Sequence, residues 1–235
     1  MSRRETHAIA IPAFQAERTV GDVVRRSLAH GAAVLVIDDG STDRTSSAAA
    51  DAGARVVRHD RNRGKGRALR TAFDELFGAG YEHVVTLDAD GQHLPETIPA
   101  LLARARAGDD LVIGSRDHLF AGMHPVRRTS NACSSYVISA VAGRPLRDVQ
   151  SGFRVYSRRL IETIGFPEAR FEAESAALVR AVRYGFGVSW VPIELGFVDG
   201  RSTSHYRPLV DSLRIAVAVT RARLETVGCP VESRW

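Results

Sequence analysis

The chain has 235 residues, of which 44% are hydrophobic and 25% are charged. These proportions are typical of a globular protein with a full core, and they exclude a chain that is disordered throughout. The net charge of +5 comes almost entirely from arginine, since Lys65 is the only lysine. Arginine pairs well with phosphate, so the excess fits a nucleotide or phospholipid partner, although scattered arginines could equally balance the acidic residues.

The hydrophobic pattern predicts strands that alternate with helices in the first half of the chain. The predicted strands are 7–12, 33–37, 55–58, 84–87 and 111–116, and the predicted helices are 19–30, 43–52, a helix after Gly66 that ends near Gly78, and 95–108. We expect Ser41 or Thr42 to cap the second helix and Gly53 to end it. Such alternation predicts an α/β fold with a Rossmann-like, mostly parallel sheet flanked by helices.

In the second half of the chain the regular alternation of strands and helices ends, and longer polar stretches separate the predicted elements. We expect a helix at 129–142, a strand at 150–156, a helix at 171–184, a strand at 188–193 that closes the sheet, a loop at 194–208 and a last helix at 208–227. No repeat or linker interrupts the chain. We therefore predict a single domain over residues 1–227, followed by a tail at 228–235.

The cysteines and the apolar segments bear on where the protein works. Cys133 and Cys229 lie far apart, without metal-ligand spacing and without a secretory leader before them, so we expect free thiols and a cytoplasmic protein. No segment approaches the roughly 18 consecutive apolar residues of a membrane-spanning helix. A peripheral contact with the inner face of a membrane stays open, and we expect no nucleic acid partner.

Five polar clusters follow the first five predicted strands directly. They are residues 12–17, 38–43, 62–66, 88–92 and 114–116. The carboxyl ends of parallel strands meet at one edge of a sheet, and ligands of such sheets bind outside that edge. We therefore predict one composite binding site built from all five clusters.

The fourth cluster predicts a metal site. Asp88 and Asp90 are one residue apart at the end of a buried strand, and Gln92 follows. Two like charges at this position need a cation, and ligands that are all oxygen favour Mg²⁺ or Mn²⁺ over zinc. Lys65 and Arg116 suit phosphate oxygens. A nucleoside diphosphate is the ligand that would use every one of these groups.

Two other nucleotide-binding classes are disfavoured by spacing. Residues 64–66 read Gly-Lys-Gly, which lacks the spacing of a P-loop, and no Gly-x-Gly-x-x-Gly follows the first strand. ATPase and dinucleotide-dependent dehydrogenase functions therefore lose support.

The order of these motifs resembles that of the family 2 inverting glycosyltransferases with the GT-A fold, and in particular the polyprenyl-phosphate sugar synthases related to dolichol-phosphate mannosyltransferase. The matching segments are 12–17, 38–43, 62–66, 88–93, 114–116, 148–154 and 171–174. The resemblance implies an enzyme that transfers a hexose, with inversion, from a GDP- or UDP-sugar to a polyprenyl phosphate. It also implies a nucleotide-binding half at 1–116, an acceptor half at 117–206 and an amphipathic C-terminal helix at 207–227.

The resemblance assigns roles to individual residues on the donor side. It implies that the donor is bound by Pro12, Ala13, Glu17, Asp39, Lys65 and Asp88. It further implies that Asp88, Asp90 and Gln92 hold Mg²⁺ or Mn²⁺ on the donor diphosphate. The metal would neutralise the leaving diphosphate, which makes Asp90 a candidate catalytic residue.

On the acceptor side the resemblance implies a phosphate site made by Arg116, Arg127 or Arg128, and Ser204. A phosphate acceptor is already an anion, so it needs positioning by arginines more than removal of a proton, and Arg116 becomes the second candidate catalytic residue. Two motifs depart from the family pattern. Phe14-Gln15 stands where Tyr-Asn is usual, and residues 200–206 keep only part of the Arg-x-x-Gly-x-Ser-Lys signature, with His205 at the lysine position.

Several side chains keep two interpretations. His93 could serve the metal site or be a hydrogen-bonded loop residue, and Asp148 could support the acceptor site or pair with a neighbouring Arg147 or Arg154. Glu172 and Glu174 should point to different sides of a helix, and one could be a base if the acceptor were a hydroxyl. The last helix carries an apolar stripe with arginines around it, which suits either a membrane surface or packing within the protein.

Three other functions remain open at this stage. The first is a family 2 glycosyltransferase with a hydroxyl acceptor. The second is a sugar nucleotidyltransferase, which shares the sheet and the paired acids but normally has a glycine-rich basic loop after the first strand, unlike residues 12–17. The third is a nucleotide-binding module without catalysis.

Overall fold

The computed structural model of the protein describes residues 6–31, 33–122, 135–196 and 208–227. The strands in this part of the chain are β1 His7–Ala13, β2 Val34–Asp38, β3 Arg55–Arg58, β4 His83–Thr86, β5 Leu111–Ser115, β6 Arg154–Ser157 and β7 Val188–Pro192. The helices are α1 Val20–Leu28, α2 Thr45–Asp51, α3 Lys65–Gly78, α4 Ile98–Arg106, α5 at 135–142, α6 Arg158–Ile164, α7 Glu172–Arg183 and α8 Pro208–Glu225. Short 3₁₀ turns lie at Pro95–Thr97 and Asp117–Gly122.

The described strands form one sheet with the order β3-β2-β1-β4-β6-β5-β7. Every neighbouring pair is parallel except the two that involve β6, which runs antiparallel to both β4 and β5. The prediction of a single α/β domain with a mostly parallel sheet is confirmed. Because β6 runs in the opposite direction, the residues just before it lie at the carboxyl ends of β4 and β5, where the polar clusters are.

Apolar side chains cover both faces of the sheet. One face packs on α3, α7 and α8 through a cluster that includes Leu69, Phe73, Tyr156 and Leu178. The other face packs on α1 and α4 through Ile9, Val24 and other residues of the second cluster. Burial on both faces explains why β2 is a continuous apolar run whose residues are all buried.

The predicted cap of the second helix is wrong. Helix α2 begins at Thr45 after Arg44, without a side-chain cap. Ser41 instead accepts a hydrogen bond from the backbone N–H of Gln15 at 2.9 Å, so it joins two loops of the candidate site. Gly53 does follow the end of the helix with a φ of +100°, in the left-handed region that favours glycine.

Helix α6 was not predicted. It has only 7 residues, which is too short for an apolar period to stand out. Its start carries a recognisable signal, since the hydroxyl of Ser157 accepts a hydrogen bond from the N–H of Leu160 at 3.1 Å.

Helix α8 packs one face on α7 and leaves the other exposed. Ile215, Val219 and Ala222 are buried. Leu213, Val217 and Leu224 are 68%, 62% and 66% exposed. None of the helices in the described part of the chain has the length and apolar character needed to span a bilayer.

Candidate functional site

The loops after β1 and β2 are joined by hydrogen bonds from backbone to side chain. The N–H of Ala16 donates to the hydroxyl of Thr45 at 2.8 Å, and the N–H of Glu17 donates to Asp43 at 3.2 Å. The carboxylate of Glu17 in turn accepts the N–H of Arg44 at 3.0 Å. These bonds fix the relative position of the two loops, and Pro12 and Ala13 lie at the end of β1 directly before them.

Asp39 holds the loop that leads into α3. Its buried carboxylate accepts hydrogen bonds from the backbone N–H of Arg63 at 2.9 Å and of Gly64 at 2.7 Å. The Nδ1 atom of His59 lies 2.7 Å from the same carboxylate. Asp39 therefore has a structural function that the sequence did not indicate, and its predicted contact with the nucleoside stays a prediction.

Lys65 is the first residue of α3 and the centre of the site. Its ammonium lies 2.7 Å from Oδ1 of Asp88 and 3.0 Å from Oε2 of Glu174. Burial by itself would lower the pKa of Lys65, but the charges of Asp88 and Glu174 raise it above its ordinary value. The only lysine of the chain is thus a permanently charged group between two acids.

Asp88 is ionised and His93 is neutral at physiological pH. Burial opposes the charge of Asp88, but the positive charge of Lys65 outweighs it and lowers the pKa of Asp88 to about 2. Burial lowers the pKa of His93 to about 4. The Nδ1 atom of His93 accepts the backbone N–H of Asp88 at 3.3 Å, so this histidine supports the end of β4 as a hydrogen-bonded loop residue.

The pKa of Asp90 shifts in the opposite direction to that of Asp88. Burial raises its pKa, and the neighbouring charge of Asp88 raises it further, while Lys65 and Arg116 offset only part of the effect. One of its oxygens accepts the backbone N–H of Gln92 at 2.9 Å. The second acid of the pair is therefore short of positive charge, which an added cation would supply.

The donor set at the end of β4 fits a divalent cation. Among the described residues no group of three or more His, Cys, Asp or Glu side chains is arranged to hold a metal by itself. Magnesium, however, is commonly bound by one or two carboxylates together with phosphate oxygens and water. Asp88 and Asp90, with the uncompensated charge on Asp90, suit a cation that shares its coordination with a diphosphate.

Arg116 follows β5 and is held by Asp148. Its Nε and Nη2 atoms donate to the two oxygens of Asp148 at 2.8 and 2.7 Å, and its backbone N–H donates at 2.7 Å. Of the two interpretations of Asp148, the pairing with Arg147 or Arg154 is wrong, and support of the acceptor site fits its contact with Arg116. Arg154 is fully buried and donates to backbone carbonyls. Asp148 therefore orients the arginine that the sequence assigns to the acceptor phosphate.

Gly152, just before β6, closes the site from the other side. A Cβ atom at this position would lie 2.6 Å from Nζ of Lys65 and 2.7 Å from Oδ2 of Asp88. The carbonyl oxygen of Gly152 also accepts the hydroxyl of Thr86 at 3.0 Å. The backbone comes so close to the ion pair that a larger residue at position 152 would require the side chains of Lys65 and Asp88 to shift.

The described structure brings the predicted residues Lys65, Asp88, Asp90, Gln92 and Arg116 together, whereas Pro12, Ala13, Glu17 and Asp39 lie near the ends of β1 and β2. Lys65, Asp88, Asp90 and Arg116 influence one another electrostatically at the carboxyl edge of the sheet. The role of Glu174 as the second partner of Lys65 was not predicted, whereas the contact of Asp148 with Arg116 agrees with the interpretation that Asp148 supports the acceptor site. The remaining predicted residues, Arg127, Arg128 and Ser204, together with residues 200–206 and both cysteines, lie outside the described residues.

The sequence model named "Glycosyl transferase family 2" matches residues 8–165. This is more than half of the chain, and the chain belongs to this family.

Curated relatives include enzymes that act on polyprenyl phosphates. The chain is 34% identical over 214 residues to polyprenol monophosphomannose synthase of Mycolicibacterium smegmatis, a match that covers 82% of this chain and 78% of that protein. It is 26% identical to the UDP-N-acetylglucosamine–dolichyl-phosphate N-acetylglucosaminyltransferase of Methanococcus voltae, over 81% of this chain and 86% of that one. It is 33% identical to glycosyltransferase AglJ of Haloferax volcanii, over 78% of this chain but only 61% of AglJ. The protein is thus a family 2 glycosyltransferase with relatives in the polyprenyl-phosphate branch.

Solved structures support the fold. Glucosyl-3-phosphoglycerate synthase from Mycobacterium tuberculosis, in complex with Mn²⁺, UDP and phosphoglyceric acid, superimposes with a TM-score of 0.73 at 21% identity, covering 97% of this chain and 80% of that one. At this identity the likeness concerns the fold alone, and it confirms the predicted GT-A architecture.

The close approach at Gly152 predicts the effect of a single methyl group. We expect Gly152→Ala to lower the free energy of unfolding by about 1–3 kcal/mol, because the methyl group pushes Lys65 and Asp88 apart in a buried place. Gly78→Ala is the matched control, since a Cβ there meets nothing within 4 Å and should cost no stability. Urea denaturation measures both, and a Gly152→Ala variant as stable as the wild type would contradict the geometry.

Proposed function

We propose that this glycosyltransferase moves a hexose from a nucleoside-diphosphate sugar to a polyprenyl phosphate, with inversion at the anomeric carbon. The proposal rests on one observation. The acid pair Asp88 and Asp90 lies at the same edge of the sheet as Arg116, which Asp148 holds in place. Asp88 and Asp90 suit a cation on the donor diphosphate, and Arg116, oriented by Asp148, suits an anionic acceptor. The relatives that use polyprenyl phosphates support the acceptor class.

On the donor side, each residue has a distinct proposed task. Pro12, Ala13, Glu17 and Asp39 would contact the nucleoside at the ends of β1 and β2, where their loops are already fixed by hydrogen bonds. Asp88, Asp90 and Gln92 would hold Mg²⁺ or Mn²⁺, which when bound neutralises the charge that develops on the leaving diphosphate. The structural neighbour that contains Mn²⁺ and UDP supports a divalent cation.

On the acceptor side, Arg116 orients a phosphate that needs no base. An oxygen of the acceptor phosphate forms the new bond to the anomeric carbon, while the bond from that carbon to the β-phosphate oxygen breaks and its electron pair leaves with the nucleoside diphosphate. The phosphate is already ionised, so no proton has to be removed. Arg127, Arg128 and Ser204 remain proposed additional contacts, in an acceptor half at 117–206 opposite a nucleotide-binding half at 1–116.

The hydroxyl-acceptor alternative would require a free carboxylate as base. The only buried acid offered by α7 is Glu174, which is paired with Lys65 at 3.0 Å. This carboxylate is already engaged in an ion pair with Lys65, so the contact favours the phosphate acceptor. Family membership disfavours the sugar nucleotidyltransferase, and donor turnover distinguishes an enzyme from a simple binding module.

If the acceptor is a lipid, the exposed face of α8 could bind the membrane that contains it. Leu213, Val217 and Leu224 form an exposed apolar stripe, and Arg214 and Arg221 flank it with side chains that are 45% and 76% exposed. An apolar stripe bordered by arginines fits the surface of an anionic bilayer. We propose that α8 contacts the inner face of the membrane and brings the site to its lipid.

The two acids of the cluster are expected to have opposite effects on stability. The pKa of Asp88 is lowered on folding, so its ionised form stabilises the protein above pH 3.8 and loses this contribution toward pH 2. The pKa of Asp90 is raised, so its ionised form costs stability once the pH exceeds its folded pKa. At pH 7 we therefore expect Asp88→Asn to lower Tm and Asp90→Asn to leave it unchanged or raise it.

Both variants should nevertheless lose function. We expect each to reduce glycosyl transfer by about 100-fold or more, the scale of removing a key electrostatic group from a site. Thermal-shift assays with Mn²⁺ and a panel of GDP- and UDP-sugars, followed by transfer assays with a polyprenyl phosphate, measure both effects. Full Mn²⁺-stimulated transfer by Asp90→Asn would rule out the proposed role of this residue.

The proposed membrane contact is tested with the full chain and vesicles. We expect the triple variant Leu213→Gln, Val217→Gln and Leu224→Gln to bind anionic phosphatidylglycerol vesicles at least about tenfold more weakly, because the inserted apolar area is lost. Leu28→Gln, at an exposed apolar position on α1, is the control and should bind normally. Equal sedimentation of the triple variant and the wild type would exclude α8 as the contact.

A further inference from the structure

We infer that Glu174 is a positioning residue that keeps Lys65 in the site when Asp88 turns to the metal. The inference rests on the proposed function, because it concerns the same donor site. Glu174 lies on α7, far along the chain from the predicted metal ligands, and it reaches the site only through the ammonium of Lys65. Neither family membership nor the motifs assign a role to this contact.

The ammonium of Lys65 has two carboxylate partners in the structure. It lies 2.7 Å from Oδ1 of Asp88 and 3.0 Å from Oε2 of Glu174. Asp88 is also the first proposed metal ligand, and a lysine and a divalent cation compete for the charge of one carboxylate. In the absence of donor, Lys65 therefore neutralises part of the negative charge of Asp88 that the cation needs.

Glu174 also has a carboxylate oxygen that could take a further hydrogen bond. It is buried, yet its Oε1 atom has no hydrogen-bond partner in the described part of the chain. A buried carboxylate oxygen without a partner is costly, so folds rarely keep one without a reason. This oxygen can accept a further N–H of Lys65, whose ammonium carries three donors.

The surroundings limit where Lys65 can go. The backbone of Gly152 lies so close that even a methyl group there would be 2.6 Å from Nζ. Arg154 holds the backbone of Glu174 in place through a hydrogen bond to its carbonyl oxygen at 2.7 Å. With one side closed and Glu174 fixed, an ammonium displaced from Asp88 keeps a charged partner on α7 and stays in the pocket.

The consequence is an exchange of partners. Before the donor binds, Lys65 compensates the charge of Asp88, while the charge of Asp90 stays short of compensation. If a cation bound together with the diphosphate, Asp88 would be one of the residues that hold it, and Glu174 would keep the charge of Lys65 nearby. Glu174 thus lowers the free-energy cost of breaking the ion pair between Asp88 and Lys65.

A double-mutant cycle on the full chain tests this coupling. The variants are Glu174→Gln, Lys65→Met and the combination of both, with Glu172→Gln as the control. Glu172 lies on the same helix but its carboxylate accepts the backbone N–H of Arg170 at 3.1 Å instead of binding Lys65. The readout is the Kd of Mn²⁺, measured by electron paramagnetic resonance at a saturating concentration of the nucleoside diphosphate that the wild type binds.

We expect Glu174→Gln to raise the Kd of Mn²⁺ about tenfold, because Lys65 is left with Asp88 as its only carboxylate partner and competes harder with the cation. In the Lys65→Met background the same change should alter the Kd by less than about twofold, since the competitor is gone. Glu174→Asp should restore part of the wild-type affinity, and Glu172→Gln should bind like the wild type.

Each other outcome has a defined meaning. If Glu174→Gln weakens Mn²⁺ binding equally with and without Lys65, the carboxylate acts by general electrostatic attraction, and the inference is wrong. If Glu174→Gln binds Mn²⁺ normally but loses transfer only to hydroxyl acceptors, Glu174 is a base and the inference is again wrong. If the wild type binds no Mn²⁺ with any nucleoside diphosphate, the proposed function itself fails. Melting curves of all variants ensure that folded proteins are compared.

Discussion

The burial of one lysine ammonium between two carboxylates is the constraint on which the site depends. A charge in a buried place is tolerated only when opposite charges neutralise it, and Lys65 meets Asp88 and Glu174 within 3.0 Å. The three side chains come from the end of β4, the start of α3 and the first turn of α7. Their ion pairs therefore fix how these elements meet at the carboxyl edge of the sheet. The backbone of Gly152 lies close to this ion pair, so a side chain there would require Lys65 and Asp88 to shift.

Around this centre, two further aspartates hold the groups that face a ligand. The carboxylate of Asp39 accepts hydrogen bonds from two backbone N–H groups of the loop before α3. Asp148 binds one edge of the guanidinium of Arg116 through both carboxylate oxygens. Carboxylates are used here as rigid acceptors for the protein's own donors, which preorganises the site before a substrate binds. Asp90 is the exception, because its charge is left without sufficient compensation. Because the negative charge of Asp90 is not fully compensated, the site is suited to bind a cation, and a cation held by carboxylates can also bind phosphate oxygens.

Much of this arrangement follows from the sequence alone. Apolar runs that end in polar clusters predicted the parallel strands, and the convergence of their ends predicted one composite site that contains Lys65, Asp88, Asp90 and Arg116. The reversed direction of β6 was not predicted, because a strand as short as four residues gives no sign of its direction. Helix α6 was too short for its period to be recognised. The partners of Lys65 and Arg116 depend on contacts between distant segments, so neighbours in sequence such as Arg147 and Arg154 were misleading candidates for Asp148.

The central claim is that Asp88 and Asp90 hold a divalent cation on the diphosphate of the donor. A crystal structure of the full chain grown with Mn²⁺ and the nucleoside diphosphate that it binds tests this most directly, because anomalous scattering locates manganese without ambiguity. The account predicts a manganese peak within coordination distance of the carboxylate oxygens of Asp88 and Asp90, next to the bound diphosphate. A diphosphate bound at this edge with manganese absent from both acids, or held by other residues, would contradict it.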